Sequence, residues 1–208
     1  MSEKAIGVFD SGMGGLTVAR EVKRILPREN IIYFGDTMHV PYGDKSKETV
    51  VHYSTEITNF LLQENCKAIR KIRRLNPHLE VMELATPLFV PIIEEGFVNT
   101  DISKAAIQTY LSHKKLQNID SLILGCTHYP LLSQEISKHL SAGVKIINSP
   151  LIVANTIARQ LKDRNIANLS EKDPSYVFYV SDLTRSFQKQ AKRFFGKEIS
   201  LMEKKLNS

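Results

Sequence analysis

Short apolar runs alternate with amphipathic stretches along most of the chain. Short apolar runs bounded by turn residues predict strands, and apolar residues at helical spacing predict helices. The predicted strands cover residues 5–9, 31–34, 79–84, 121–124, 144–147 and 176–180. A helix is predicted over 16–26, where Pro27 ends it, and a longer one begins near Ser46. This alternation is typical of an α/β fold with a parallel sheet and helices on both faces.

One place breaks the alternation, directly after the helix that begins near Ser46. Residues 67–69 are typical of the start of a third buried strand, but Arg70-Lys71-Ile72-Arg73-Arg74 follows. Unpaired cations are too costly to lie inside a parallel sheet. We therefore predict that a segment is missing after Ile69, so that the join to Arg70 is abnormal. An exposed helix or loop is the alternative.

Composition is that of an ordinary soluble globular protein. The chain has 208 residues, 42% hydrophobic and 24% charged, which suffices for one large domain or two small ones. No stretch has the roughly eighteen apolar residues of a membrane span, and the N-terminus lacks the apolar core of a signal peptide. We therefore expect a cytoplasmic protein that does not contact a membrane. A net charge of +6 permits an anionic substrate without demonstrating one.

The chain has two cysteines, Cys66 and Cys126, and no Cys-x-x-C motif. This number and spacing indicate neither a disulfide framework nor a zinc site. Cys126 follows the apolar run 122–124 within Gly125-Cys126-Thr127-His128-Tyr129-Pro130. A buried parallel strand would end there, where open α/β sheets hold their active sites, and His128 is close enough to tune the thiol. The alternative is a plain core cysteine, because free cysteines are often buried.

A glycine-rich turn follows the first predicted strand, in Phe9-Asp10-Ser11-Gly12-Met13-Gly14-Gly15-Leu16-Thr17. Backbone N–H groups of such a turn, at the start of a helix, bind carboxylates well. The glycines also suggest a dinucleotide-binding site, but Thr17 stands where the third glycine of that fingerprint belongs. A phosphatase aspartate at Asp10 is a further alternative, although Gly12 stands where the second acid of that motif belongs.

Four motifs together carry a resemblance to a known family. They are the glycine-rich turn 9–17, Gly35-Asp36-Thr37, Pro41-Tyr42-Gly43 and the cysteine motif 125–130. In this order they resemble the motifs of glutamate racemases, and the resemblance extends to Phe178-Tyr179-Val180-Ser181-Asp182. It implies a cofactor-independent isomerase with two similar α/β halves and an active site between them. Members of that family supply D-glutamate for bacterial peptidoglycan.

The resemblance also implies roles for individual residues. Racemisation removes the α-proton from one face of the substrate and delivers a proton to the other, so two acid/base groups must flank the carbon. Cys126 is then one thiol of the pair, His128 supports its ionisation, and Asp10 assists on the other side. The implied substrate-binding residues are Asp10, Ser11, Tyr42, Gly43, Thr127 and His128, without a metal. We expect all of these residues to line one cleft at the carboxyl ends of strands.

Two of these residues also have plain structural interpretations. Asp10 suits the N-cap of the helix that follows it. The triplet Pro41-Tyr42-Gly43 suits an ordinary turn, because proline and glycine are common in loops.

The chain departs from the family at one point. The family has a strand ending in Cys-Asn-Thr soon after the segment that matches 67–69, and that motif holds the first catalytic cysteine. The motif and several βα units after it are absent here, and matching sequence resumes at 71–77. Cys66 is no substitute, because it lies before the expected strand, near the end of a helix. We therefore expect this form not to racemise glutamate at a useful rate.

We expect an N-terminal α/β half over 1–85 that is truncated after about residue 69, a second half over 86–185, and a C-terminal helix over 186–208 that returns to the first half. The expected partners are glutamate and a second copy of the chain in a homodimer. The alternative class is a non-catalytic protein of the same fold that contacts nucleic acid through basic residues. Those residues are 70–74, Lys189, Lys192, Arg193, Lys197, Lys204 and Lys205. Solvated helix faces explain them better, because no aromatic residues are interleaved with them in a recognised module.

Overall fold

The computed structural model describes residues 3–64, 66–67, 84–116 and 118–206, in which strands and helices alternate. The strands are Ala5–Asp10 (β1), Ile31–Gly35 (β2), Cys66–Lys67 (β3), Ser121–Leu124 (β4), Lys145–Asn148 (β5), Tyr176–Val180 (β6) and Leu201–Glu203 (β7). The helices are Gly14–Ile25 (α1), Lys47–Gln63 (α2), Phe89–Glu94 (α3), Asp101–Leu111 (α4), Ser133–Ser137 (α5), Ser149–Asp163 (α6) and Arg185–Phe194 (α7). Short 3-10 turns cover Tyr42–Asp44, Lys114–Leu116 and Tyr129–Leu132.

The described residues form two compact units. The first contains the residues up to 67 together with those from Pro150 onward, and the second contains residues 84–149. Residues 150–185, predicted from sequence to belong to the second half, therefore group with the first unit. The reason is that β6 pairs with β2, in the sheet of the first unit.

The first unit is built on a five-stranded sheet in the order β3-β1-β2-β6-β7, in which every pair of neighbours is parallel. Asp10 at the end of β1 is in register with Gly35 at the end of β2, and Gly35 with Val180 at the end of β6. The residues that follow these strands are thus brought to one edge of the sheet. The predicted α/β class with parallel strands is confirmed.

Helices cover both faces of this sheet. Side chains alternate between the faces along a strand, so Ile32 and Phe34 of β2 point one way and Tyr33 the other. Ile32 and Phe34 belong to a core cluster with three residues of α2, namely Ile57, Phe60 and Leu61. On the opposite face, Tyr33 packs with Phe178 and lies beside Gly15 of α1. Ser46 caps α2 by accepting a hydrogen bond from the N–H of Thr49 at 3.2 Å.

Cys66 lies in the core of the first unit. It is part of β3, so the prediction that it precedes the strand is wrong, and its side chain belongs to the core cluster with Phe34. Burial, together with the nearby charge of Glu64, raises the pKa of its thiol to about 11. It is in register with Ala5, at the start of β1. A strand rises ~3.3 Å per residue, so this position is roughly 16 Å along β1 from Asp10.

The second unit contains a parallel sheet of β4 and β5. The strand predicted at 121–124 is confirmed, but the expectation that this run is fully buried is wrong, because Ile123 is 59% exposed. Within residues 84–149 the sheet has only these two strands. The predicted strand 79–84 and the join between Ile69 and Arg70 lie outside the described residues, apart from Leu84, which is not in a strand.

Among the described residues, no helix is both long and apolar enough to cross a bilayer.

Candidate active site

The cysteine motif forms a tight turn at the carboxyl end of β4. Sγ of Cys126 lies 3.8 Å from Nδ1 of His128, and the N–H of Tyr129 donates to the carbonyl of Cys126 at 3.2 Å. This turn brings the imidazole back over the thiol. Cys126 is only partly buried, so it is not the plain core cysteine that the sequence allows as an alternative.

Glu94 is a third member of this group, which sequence analysis missed. Its Oε1 lies 3.1 Å from Nε2 of His128. Glu94 is the last residue of α3, whose Phe89 packs edge-on against Tyr129 with ring centroids 5.4 Å apart. The hydroxyl of Thr86 donates to the hydroxyl of Tyr129 at 2.8 Å and joins the start of α3 to the same turn. No local signal indicates the pair, because Glu94 and His128 are 34 residues apart in the chain.

The electrostatics of this group favour a thiolate. Burial acts to raise the pKa of the Cys126 thiol, but the hydrogen bonds and charge of His128 outweigh burial and hold that pKa below its ordinary value. For His128, burial acts to lower the pKa, but the interactions with Cys126 and Glu94 prevail and raise it. The two shifts together favour a thiolate–imidazolium pair, and a thiolate can accept a proton from a carbon acid.

The difference in burial and thiol pKa between Cys126 and Cys66 predicts selective alkylation of Cys126. At neutral pH we expect iodoacetamide to modify Cys126 much faster than Cys66, because the thiolate is the reactive form. Cys126 is partly buried with a lowered pKa, whereas Cys66 is buried with a raised one. Peptide mass spectrometry after timed exposure measures both rates, and the denatured chain, in which both thiols are free in solvent, is the control. Equal rates in the folded chain would contradict this assignment.

Asp10 is held at the start of α1. Its Oδ2 accepts a hydrogen bond from the N–H of Gly15 at 2.8 Å, and its Oδ1 lies 2.6 Å from the hydroxyl oxygen of Tyr33. Met13 is the N-cap residue of α1, so the interpretation of Asp10 as the N-cap is wrong. Asp10 does accept a hydrogen bond from a backbone N–H in the first turn of that helix. A Cβ at position 15 would lie 3.0 Å from Oδ1 of Asp10, so a larger residue there would have to displace the carboxylate by a few tenths of an ångström.

Tyr42 is fixed by Asp36, a buried carboxylate at the carboxyl end of β2. Asp36 accepts hydrogen bonds from the hydroxyl of Tyr42 at 2.6 Å and from the hydroxyl of Ser181 at 3.0 Å, and it lies 2.8 Å from Nδ1 of His39. Burial, followed by the bond to Asp36, raises the pKa of Tyr42, so its hydroxyl stays protonated and keeps this bond. The turn Tyr42–Asp44 is therefore held in place by the hydrogen bond from Tyr42 to Asp36, and Asp36 is itself positioned by the hydroxyl of Ser181.

The predicted site residues fall into two groups, one in each unit. In the first unit, Asp10 ends β1, Ser11 follows it, and Tyr42 and Gly43 lie in the loop after β2. In the second unit, Cys126, Thr127 and His128 follow β4. Each group lies at the carboxyl ends of parallel strands, as α/β sites do. That all seven residues line one cleft remains a prediction. Among the described residues, no three side chains of His, Cys, Asp or Glu form a group that could hold a metal ion.

Known proteins align with nearly the whole of this chain. No protein-family model matches the chain. A glutamate racemase from Geobacter metallireducens is 33% identical over 257 residues, which covers 96% of this chain and 95% of that protein. Because the chain has 208 residues, the relative carries residues inside the aligned region that are absent here. The prediction that the missing residues follow Ile69 and include the Cys-Asn-Thr motif concerns a region outside the described residues and stays a prediction.

Solved structures agree with the sequence comparison. The glutamate racemase from Francisella tularensis in complex with D-glutamate is 31% identical, with a TM-score of 0.83, and the match covers 100% of this chain and 99% of that one. Glutamate racemase isoform RacE1 from Bacillus anthracis is 28% identical, with a TM-score of 0.85 and 99% coverage of both chains. Because sequence identity, coverage and fold all agree with the order of its motifs, this chain belongs to the glutamate racemase family.

Proposed function

We propose that this chain acts on glutamate through the thiolate of Cys126, and that this form completes the proton transfer on only one face of the α-carbon. The observation that carries the proposal is the group formed by Cys126, His128 and Glu94. In this group, the thiol of Cys126 is partly buried and lies at the carboxyl end of a parallel strand, and the interactions with His128 lower its pKa. Such a thiol is suited to remove a proton from carbon without a cofactor.

The second half of the reaction, proton transfer at the opposite face of the α-carbon, needs another acid/base group. Cys66, the other cysteine of this chain, does not supply it. Cys66 is buried in the core, its pKa is raised to about 11, and it is in register with Ala5 rather than with Asp10. A buried, protonated thiol cannot act as a base at neutral pH. The lone thiolate of Cys126 can still take the α-proton and return a solvent proton to the same face. The product is then the original enantiomer carrying a solvent hydrogen.

Glutamate is the proposed substrate. Asp10 and Gly15 hold the glycine-rich turn at the start of α1, where backbone N–H groups favour a carboxylate. The Francisella relative is solved with D-glutamate, which supports a ligand of the same class here.

We also propose that the chain forms a homodimer, which light scattering coupled to size-exclusion chromatography measures directly.

The proposal predicts exchange without racemisation. When the chain is incubated with L- or D-glutamate in deuterium oxide, we expect loss of the α-proton signal from one enantiomer and no change in optical rotation. The rate of racemisation should be lower by about 10² to 10⁴ than that of an enzyme with both bases, because each acid/base group contributes that much. Proton NMR and polarimetry measure the two processes separately.

Two results would contradict the proposal. Full racemisation at an ordinary enzymatic rate would show that another residue or a partner chain supplies the second base. The absence of exchange from both enantiomers would show that Cys126 does not act on glutamate.

Nucleic-acid binding is the weaker alternative. Three of the basic residues, Lys189, Lys192 and Arg193, are on the exposed side of α7, whose buried residues are Phe187, Ala191 and Phe194. That division is the ordinary pattern of an amphipathic surface helix. Residues 70–74 lie outside the described residues. Thermal stabilisation by glutamate would support the racemase assignment, and salt-dependent DNA binding without it would support the alternative.

A further inference from the structure

Ser181 lies beside Asp36 at the carboxyl edge of the five-stranded sheet. Each is the first residue after its strand, and Gly35 at the end of β2 is in register with Val180 at the end of β6. The N–H of Ser181 continues this ladder by donating to the carbonyl of Gly35 at 2.9 Å. Both residues are buried, Ser181 being 4% and Asp36 2% exposed, so a hydrogen bond between their side chains is shielded from water.

The hydroxyl of Ser181 fixes the orientation of the Asp36 carboxylate. Its oxygen accepts a hydrogen bond from the N–H of Met38 at 2.8 Å, and its single proton is donated to Oδ1 of Asp36 at 3.0 Å. The same hydroxyl therefore holds both the backbone of the loop after β2 and the carboxylate at the start of that loop. Restricting the rotation of the carboxylate also restricts where its other oxygen, Oδ2, lies.

Oδ2 of Asp36 is the acceptor for the hydroxyl of Tyr42, which donates to it at 2.6 Å. In addition, Nδ1 of His39 lies 2.8 Å from Oδ1 and 3.1 Å from Oδ2 of the same carboxylate. The ring of His39 stacks on Tyr53 of α2, with centroids 4.0 Å apart. Asp36 thus links the loop after β6 and helix α2 to the turn Tyr42–Asp44, which is expected to bind the substrate.

We propose that Ser181 is a positioning residue for glutamate, which acts through the Asp36 carboxylate to set the place of the turn Tyr42–Asp44. Its effect is on the binding of glutamate rather than on proton removal, because the thiol that accepts the proton follows β4 and pairs with His128. This inference rests on the proposed function, in which glutamate is the ligand.

A second bridge between the same two loops provides a matched control. The hydroxyl of Thr37 donates to the carbonyl of Asp182 at 2.6 Å and accepts a hydrogen bond from the N–H of Asp182 at 2.9 Å. Thr37→Val removes both bonds and keeps the shape of the side chain, but it leaves the bond from Ser181 to Asp36 in place. The control therefore separates the orientation of Asp36 from a general tie between the loops.

Titration of the full chain with L- and D-glutamate, followed by NMR chemical shifts, measures the effect on binding. We expect Ser181→Ala to weaken glutamate binding about tenfold, because losing a hydrogen bond to a charged group changes an equilibrium constant by about that factor. Ser181→Cys, which keeps the shape but is a weaker donor, should change the affinity in the same direction. Thr37→Val should bind glutamate as tightly as the wild type. In the exchange assay, Ser181→Ala should raise KM and leave kcat unchanged.

A double-mutant cycle tests the route from Ser181 to the substrate. Tyr42→Phe removes the hydroxyl that Asp36 holds, so adding Ser181→Ala to Tyr42→Phe should weaken binding no further. Equal losses in both backgrounds would overturn the proposal, and so would a loss in Thr37→Val as large as that in Ser181→Ala. A fall in kcat at unchanged KM would also overturn it.

The wild-type chain distinguishes this inference from the proposed function. Binding of glutamate without proton exchange would refute the proposed function alone. Binding and exchange in the wild type, with unweakened binding in Ser181→Ala, would refute this inference alone. The absence of glutamate binding by the wild type would refute both.

Discussion

Replacing Cys126 with alanine is expected to abolish exchange of the glutamate α-proton with solvent. The thiolate is the base that the proposed reaction uses, and general bases contribute about 10² to 10⁴ to such rates, so the residual rate should fall below detection. His128 and Glu94 would remain, but neither carries the thiol that is placed to accept the proton. Deuterium incorporation followed by proton NMR measures the loss.

Cys66→Ala is the matched control, because it removes the other thiol of the chain. We expect this variant to exchange the α-proton at the wild-type rate while folded. Its stability should fall by about 1 kcal/mol, as is usual for truncating a core side chain. The lost sulfur would otherwise lie in the core cluster with Phe34 and Leu61. Exchange that persisted in Cys126→Ala, or disappeared in Cys66→Ala with the fold intact, would refute the assignment of the base.

Replacing His128 with asparagine is expected to move the pH dependence of exchange to higher pH. In the wild type, His128 holds the pKa of Cys126 below its ordinary value, so the rate should rise with pH through a midpoint below that value. Without the imidazole, only the backbone N–H groups of position 128 and Tyr129 still oppose burial, so the pKa of the thiol rises. The rate at neutral pH should then fall by about 10², with partial recovery at high pH where the thiolate forms again.

Glu94→Gln should act in the same direction with a smaller effect. Glu94 contributes to the raised pKa of His128, so its neutral replacement leaves less imidazolium to stabilise the thiolate. For His128→Asn, the matched control is His52→Asn, which should leave the pH profile unchanged. His52 lies on α2, its side chain is exposed, and it pairs with a glutamate of its own, Glu56. A pH profile that is the same in wild type and His128→Asn would show that His128 does not tune the thiol.

Local patterns were sufficient to predict most elements and the central pair of the site. The strands at 121–124 and 176–180 match the structure, because a short apolar run between turn residues is a local signal. The pairing of Cys126 with His128 was also predictable, since two residues in one turn after a strand are necessarily close. The motif order alone indicated the family.

Only the tertiary structure decided which distant groups meet. The contacts of His128 with Glu94, of Asp36 with Ser181 and of Asp10 with Tyr33 join residues 34, 145 and 23 positions apart, and no periodicity encodes such distances. The order of strands in the sheet likewise placed residues 150–185 in the first unit. It also put Cys66 in the core, opposite the start of β1 and away from Asp10. Sequence thus determined the elements and the residue types at their ends, because these depend on neighbours along the chain. Packing between remote segments determined which carboxylate holds the imidazole and which thiol can ionise, because burial and hydrogen-bond partners exist only once the chain has folded.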